Sequence, residues 1–98
     1  MTITKTAVGD GLILALEGRL DTNTAPELEA ELHASLPGVA RLTLDLAKLE
    51  YLSSAGQRLV LFAQKQMNKQ GRMTVRNVNN TVMEAFQITG FTDILSFE

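Results

Sequence analysis

The chain contains no cysteine and no tryptophan. Without cysteine there is no disulfide scaffold, no thiolate zinc site and no thiol nucleophile. His33 is the only histidine, so a histidine cluster for a metal is excluded as well. Aromatic residues make up 5% of the chain, too few for the stacking platforms of a single-strand binder. Basic charge is not in excess: Lys and Arg number 9 against 11 Asp and Glu, for a net charge of −2. That balance lacks the footprint of a nucleic-acid-binding protein, and no nucleic-acid partner is expected. No apolar run approaches the ~18 residues of a membrane span, so membrane insertion is not expected. The opening Met1-Thr2-Ile3-Thr4-Lys5 lacks the basic-then-apolar order of a signal peptide, which makes the cytoplasm the expected compartment.

What is present suits one small globular domain over residues 1–98. Hydrophobic residues are 45% of the 98, an ordinary share for a packed fold. Thr2–Val8 is rich in β-branched residues and predicts an edge strand, with Lys5 in its middle discouraging further pairing. Asp10-Gly11, in the run Gly9-Asp10-Gly11, signals a hairpin turn. Leu12–Leu16 is apolar throughout and predicts a strand antiparallel to the first, covered on both faces. A loop over Gly18–Asn23 then leads to a helix starting at Thr24, where Thr24 and Glu27 form a capping box and Pro26 sits in the first turn. Ala25, Leu28, Leu32 and Leu36 make its inner stripe, and Pro37-Gly38 ends it.

Leu42, Leu44 and Leu46 alternate in a strand over Arg41–Leu46, followed by a connection over Ala47–Ser53. A second helix runs from Ser54 to Gln70, capped by Ser54 with Gln57 closing a box. Its expected inner stripe is Leu59, Phe62 or Ala63, and Gln66 or Met67, with Gly71 after its end. Arg72–Val78 predicts a strand. A third helix follows, capped by Asn79, Asn80 or Thr81 and stopped at Gly90, and Ile94–Phe97 predicts a last short strand. The order β-β-α-β-α-β-α-β predicts an α/β fold: a mostly parallel sheet with an N-terminal hairpin and three helices.

In such a sheet the loops at the carboxyl ends of the strands form the natural site. Asp21, Asp45 and the pair Ser53-Ser54 are expected to converge there. As a helix cap, Ser54 needs no further role, and its replacement by Ala costs about 1 kcal/mol. As a hydroxyl at a helix N-terminus, it also offers a place where phosphate is welcomed by unbonded amides and the helix dipole, and Gly56 leaves room for close approach. A catalytic serine is a poorer reading. Leu52 replaces the first glycine of a nucleophile elbow, and His33 sits mid-helix facing solvent. Asp21 and Asp45 read as a loop Asx turn and a strand-end hydrogen bond rather than an acid–base pair or a metal site. No catalytic residue, metal or cofactor is expected, and Met67, Met73 and Met83 read as core filler.

Leu44-Asp45-Leu46, three residues on Glu50-Tyr51-Leu52-Ser53-Ser54-Ala55-Gly56-Gln57-Arg58-Leu59, resembles the signature of STAS domains, specifically of anti-sigma factor antagonists. Gly18-Arg19-Leu20-Asp21-Thr22-Asn23-Thr24-Ala25 resembles the family's Gly-x-Leu-Asp loop before the first helix, and Asn77–Asn80 and Gly90-Phe91 sit where the family has its third helix and its end. The resemblance implies a partner switch. The unphosphorylated protein binds an anti-sigma factor that is also a serine kinase, frees a sigma factor, and is released when phosphorylated; a serine phosphatase resets it. Carried onto this chain, the phosphoacceptor is Ser54, with Ser53 as the alternative, and the partner face comprises Asp21, Thr22, Ser53, Ser54, Ala55 and Gly56. Two positions depart from the family: Ser53 stands where many members carry an acid, and Gln57, read as a surface change, stands where an apolar residue is usual. The wider family implies a second reading, an unphosphorylated accessory subunit of a transport ATPase.

Overall fold

The computed structural model describes all residues from Met1 to Glu98. Strands β1 (Thr2–Val8), β2 (Gly11–Leu20), β3 (Arg41–Leu52) and β4 (Arg72–Arg76) lie side by side in the order β1-β2-β3-β4. The first pair is antiparallel and the other two are parallel, as the alternation of helices and strands requires. Helices α1 (Ala25–Ser35), α2 (Ser54–Gln70) and α3 (Asn80–Thr89) complete the fold. Lys5 does lie on the edge strand, where its ammonium reaches Glu31 of α1 at 3.3 Å.

All three helices pack on one face of the sheet. Leu14 and Leu16 of β2, Leu44 and Leu46 of β3 and Val75 of β4 meet Leu28 and Leu32 of α1, Val60, Ala63 and Met67 of α2 and Phe86 of α3 in a single buried cluster. The opposite face is open. There Ile13 lies beside Thr43 and Thr74, and Ala15 beside Asp45 and Arg76. Leu12–Leu16 is therefore covered by a layer on one face only; Ile13 and Ala15 are half-buried by their cross-strand neighbours. A continuous apolar run does not distinguish these two kinds of cover.

Several boundaries differ from expectation, each for a local reason. The hairpin turns on Gly9-Asp10, with Val8 opposite Gly11 and positive φ at Gly9 alone, the pattern of a II′ turn rather than of Asp10-Gly11. Strand β2 continues through Gly18 to Leu20, and β3 continues six residues past Leu46 to Leu52. Register shifts against β2 between Ala15 and Glu17, and again between Gly18 and Arg19, insert one extra β3 residue each. These bulges change the buried spacing from Leu42, Leu44 and Leu46 to Leu49 and Leu52 while keeping every leucine on the core face. Strand β4 stops at Arg76 because Asn77 takes a left-handed φ of 59°. Val75 pairs with Phe97 in one isolated bridge, so Ile94–Phe97 is not a strand; a short 3₁₀ turn over Phe91–Asp93 precedes it.

The inner face of α2 is Gly56, Gln57, Val60, Ala63, Gln64 and Met67, which moves Leu59, Phe62 and Gln66 off the buried stripe. Phe62 instead lies against His33, ring centroids 5.2 Å apart. Of the three candidate caps for α3 it is Asn79 that serves, accepting from the Val82 amide at 2.9 Å. No helix is long and apolar enough to cross a membrane.

Candidate functional site

The carboxyl ends of β2 and β3 are tied together: the Ser53 amide donates to the Leu20 carbonyl at 2.9 Å. This bond sets the loop Asp21–Thr24 beside the first turn of α2. Gly56 makes the approach possible. A Cβ there would lie 2.6 Å from Leu20 Cγ and 2.8 Å from Leu52 Cδ1, so the space at Gly56 is filled by core leucines and not left open toward a ligand.

The structure separates the two serines. Ser53 is the N-cap of α2, in extended conformation, and its Oγ accepts from the Gly56 amide at 3.2 Å. Ser54 is the first helical residue, exposed, and its hydroxyl makes no hydrogen bond within the chain. The cap expected at Ser54 is thus one residue earlier. The reason is geometric: the cap's extended φ and ψ follow directly from the end of β3, and the hydroxyl must reach the amide three residues on. Gln57 likewise closes no box. It is buried, and its Oε1 accepts from the Thr89 hydroxyl of α3 at 2.7 Å, so it is an internal tie rather than a surface change. Replacement of Ser53 by Ala is expected to cost about 1 kcal/mol in denaturant unfolding, and Ser54→Ala a few tenths at most. Equal losses would contradict this placement of the cap.

Helix α2 leaves the amides of Ser54 and Ala55 without intrahelical acceptors. Its first turn carries no acidic residue, so the positive end of the helix dipole is not offset there. The Ser54 hydroxyl stands at that end. A shallow groove of about 240 Å³ opens beside it, between Thr22, Ala25 and Pro26 on one side and Ala55, Arg58 and Leu59 on the other.

Asp21 organises the neighbouring loop as an Asx turn. Its Oδ1 accepts from the amides of Asn23 at 3.0 Å and Thr24 at 3.1 Å. Thr24 occupies the N-cap position of α1 but makes no side-chain cap, because its hydroxyl donates to the Arg19 carbonyl at 2.7 Å. The capping box expected with Glu27 does not form. The Thr24 amide holds the Asp21 carboxyl below its ordinary pKa, helped by the Asn23 amide, the Thr24 hydroxyl and Arg19 and opposed by burial. A carboxylate lowered on folding favours the native state above the ordinary aspartate pKa of about 3.9, and that contribution is lost as pH falls through the lower folded value. We expect a carboxyl NMR titration to place Asp21 below an ordinary aspartate, with the Asn23 and Thr24 amides following the same midpoint. A midpoint at or above the ordinary value would refute the turn.

Asp45 does not converge on this site. It lies mid-strand in β3, on the open face of the sheet, where it pairs with Arg76 at 3.4 Å and accepts from Asn77 Nδ2 and the Ala47 amide at 3.1 Å each. Burial pushes its carboxyl up, and the bonds from Asn77, Ala47 and Arg76 together outweigh it and hold the pKa low. Extending β3 through Leu52 is what moves Asp45 away from the strand end. Two residues that the sequence reading passed over belong to the site's rim. Arg19 and Tyr51 are cross-strand partners, with the guanidinium 4.2 Å above the ring and 3.8 Å from Asp21. Longer strands in the sequence reading would have paired them. No group of three or more His, Cys, Asp or Glu side chains is placed to hold a metal ion.

A family model described as "Mlab, STAS domain" matches residues 3–96. BtrV of Bordetella bronchiseptica, designated a candidate anti-sigma factor antagonist, is 40% identical over 96 residues, which are 96% of this chain and 83% of BtrV. Among solved structures, the unphosphorylated anti-sigma factor antagonist SpoIIAA superposes with a TM-score of 0.85 at 21% identity, over 99% of this chain and 88% of that one. SpoIIAA from Bacillus is also known in its phosphorylated form, with a TM-score of 0.77 at 20% identity, over 99% of this chain and 91% of that one. An anti-sigma factor antagonist from Mycobacterium paratuberculosis gives 0.90 at 21% identity, over 98% of this chain and 83% of that one. At these identities the structural likeness is one of fold.

Proposed function

The chain belongs to the STAS domain family, among the anti-sigma factor antagonists, and from that premise we propose that it works as a partner switch governed by phosphorylation of Ser54. The observation that carries the proposal is the contrast between the two serines: Ser53 is held by the Gly56 amide, while Ser54 is exposed and unbonded at the uncompensated N-terminus of α2. A kinase needs the hydroxyl it modifies to be reachable, and the helix end accommodates the product. Asp21 and Thr22, Ser53 to Gly56, and the groove beside them then form the face that an anti-sigma factor serine kinase covers.

The chain supplies no chemistry of its own in this scheme. Transfer of the phosphoryl group from ATP belongs to the kinase, and its removal to a serine phosphatase. Phosphorylation adds roughly −1.5 to −2 charge at pH 7. On the free protein the dipole and the Ser54 and Ala55 amides offset that charge; under a bound partner it must be desolvated. The modification therefore changes binding and leaves the fold in place.

The test is to incubate the chain with the purified serine-kinase anti-sigma factor of its own genome and ATP, then map the phosphate by mass spectrometry. Phosphate on Ser54 supports the switch. Phosphate on Ser53 overturns the assignment. Phosphate on neither serine favours the accessory subunit of a transport ATPase.

A further inference from the structure

The face around Ser54 is small. It comprises six residues, of which Gly56 is buried. Specific protein interfaces engage about 20–30 residues a side and bury about 800 Å² on each partner. A partner seated on Ser54 therefore extends beyond these loops, and the distribution of exposed apolar side chains indicates the direction.

Val8, 58% exposed, flanks the hairpin turn at Gly9-Asp10. That turn is at the far end of the molecule, because the Asp10 carbonyl accepts from the Ala40 amide, just before β3 begins. Phe62 lies against His33, and Tyr51 lies under Arg19. Ile94, 49% exposed, follows the 3₁₀ turn; Ile88 has no such cover as Phe62 and Tyr51 have and is 86% exposed, the highest value for any large apolar residue of the chain. It stands in the last turn of α3, next to Thr89, whose hydroxyl donates to Gln57 Oε1 at 2.7 Å. Gln57 is three residues after Ser54, about 4.5 Å along the helix axis. The tie between Gln57 and Thr89 thus holds the end of α3 against the second turn of α2, at the same end of the molecule as Ser54. On the other side, Gly90 ends the helix in a left-handed conformation with its amide donating to the Gln87 and Phe86 carbonyls, so the position of Ile88 is set from both sides.

We propose that the last turn of α3 is a second contact of the partner face, with Ile88 as its apolar anchor in a hydrophobic depression on the anti-sigma factor. This rests on the partner-switch reading of Ser54. Ile88 contributes affinity irrespective of phosphorylation, while Ser54 sets whether the complex survives. A buried anchor of this kind supplies a large share of binding although it adds little to folding.

The experiment measures affinity by calorimetry, using as probe the purified serine-kinase anti-sigma factor of the test above. Ile88→Ala is expected to weaken binding at least about tenfold, and Ile88→Gln and Ile88→Asp further. Val8→Gln, at the opposite end, is expected to bind like the wild type. Melting of the Ile88 variants should match the wild type, since the side chain is solvated, and Ile88→Gln keeps a good helix former in α3 should Asp disturb it. Binding of Ile88→Gln and Ile88→Asp within twofold of the wild type would overturn the proposal while leaving Ser54 as the switch. A kinase that neither binds nor modifies the wild type would overturn the Ser54 reading and this proposal with it.

Discussion

Ser54→Asp is expected to lower affinity for the anti-sigma factor kinase by about 100-fold or more without lowering thermal stability. The two halves of this result have different physical origins. In the free protein a carboxylate at the first position of α2 meets unbonded amides and an uncompensated dipole, which favours it by a few tenths of a kcal/mol. In the complex the same charge is buried against a partner, and the one basic residue in the first two turns of α2, Arg58, is exposed and offsets only part of the cost. Desolvating an unpaired charge costs several kcal/mol, and about 2.7 kcal/mol already corresponds to 100-fold. Ser54→Ala should bind as the wild type does and accept no phosphate there, so it would hold the kinase permanently and leave the sigma factor free. Calorimetric titration of the three proteins, with melting curves alongside, checks both halves. Tight binding by Ser54→Asp would remove Ser54 from the interface, and a lowered melting temperature would show that the charge acts on the fold instead.

Gly71→Ala is expected to destabilise the fold by about 3 kcal/mol or more, a loss on the order of 15 °C in Tm for a domain of this size. The backbone angle is not the cause, since Gly71 has φ 174°, which any residue adopts. The cause is contact: an added Cβ would lie 1.9 Å from the Ala40 carbonyl oxygen, a backbone atom. The same carbonyl accepts from the Arg72 amide at 3.0 Å, so Ala40 cannot retreat without breaking the bond that starts β4 beside β3. Gly38 provides the comparison. It has φ +84° with open space where a Cβ would go, and its replacement by Ala should cost only about 1 kcal/mol through conformation. Denaturant unfolding of both variants separates close approach from backbone strain; a Gly71→Ala protein no less stable than Gly38→Ala would rule out the contact.

The hairpin, the helices and their order could be read from the chain because each has a local cause. The turn between β1 and β2, the stripe Ala25, Leu28 and Leu32, and the stop at Gly90 all follow from neighbours a few residues away. Asp21, similarly, makes the Asx turn that its loop position suggests. The misassignments share a different cause. Ser53 rather than Ser54 caps α2 because β3 runs straight into the helix, and β3 is long because two bulges let Leu49 and Leu52 stay in the core. The leucine spacing of three after Leu46 was the signal for those bulges, but a spacing of three also suits a turn or a helix. Only pairing with β2 decides between them.

The tertiary structure alone decided where the chemistry-bearing groups stand relative to one another. Asp45 left the site because its strand did not end there, and Gln57 entered the interior because α3 brought Thr89 to meet it. The exposure of Ser54, the close approach at Gly56 and the tie from the last turn of α3 to Gln57 depend on contacts between elements far apart in the chain. Local sequence determines which residues can form a turn, a cap or a stripe, because those energies act over three or four residues. Which face a residue shows to solvent, and which hydroxyl is left unbonded, are set by packing between elements.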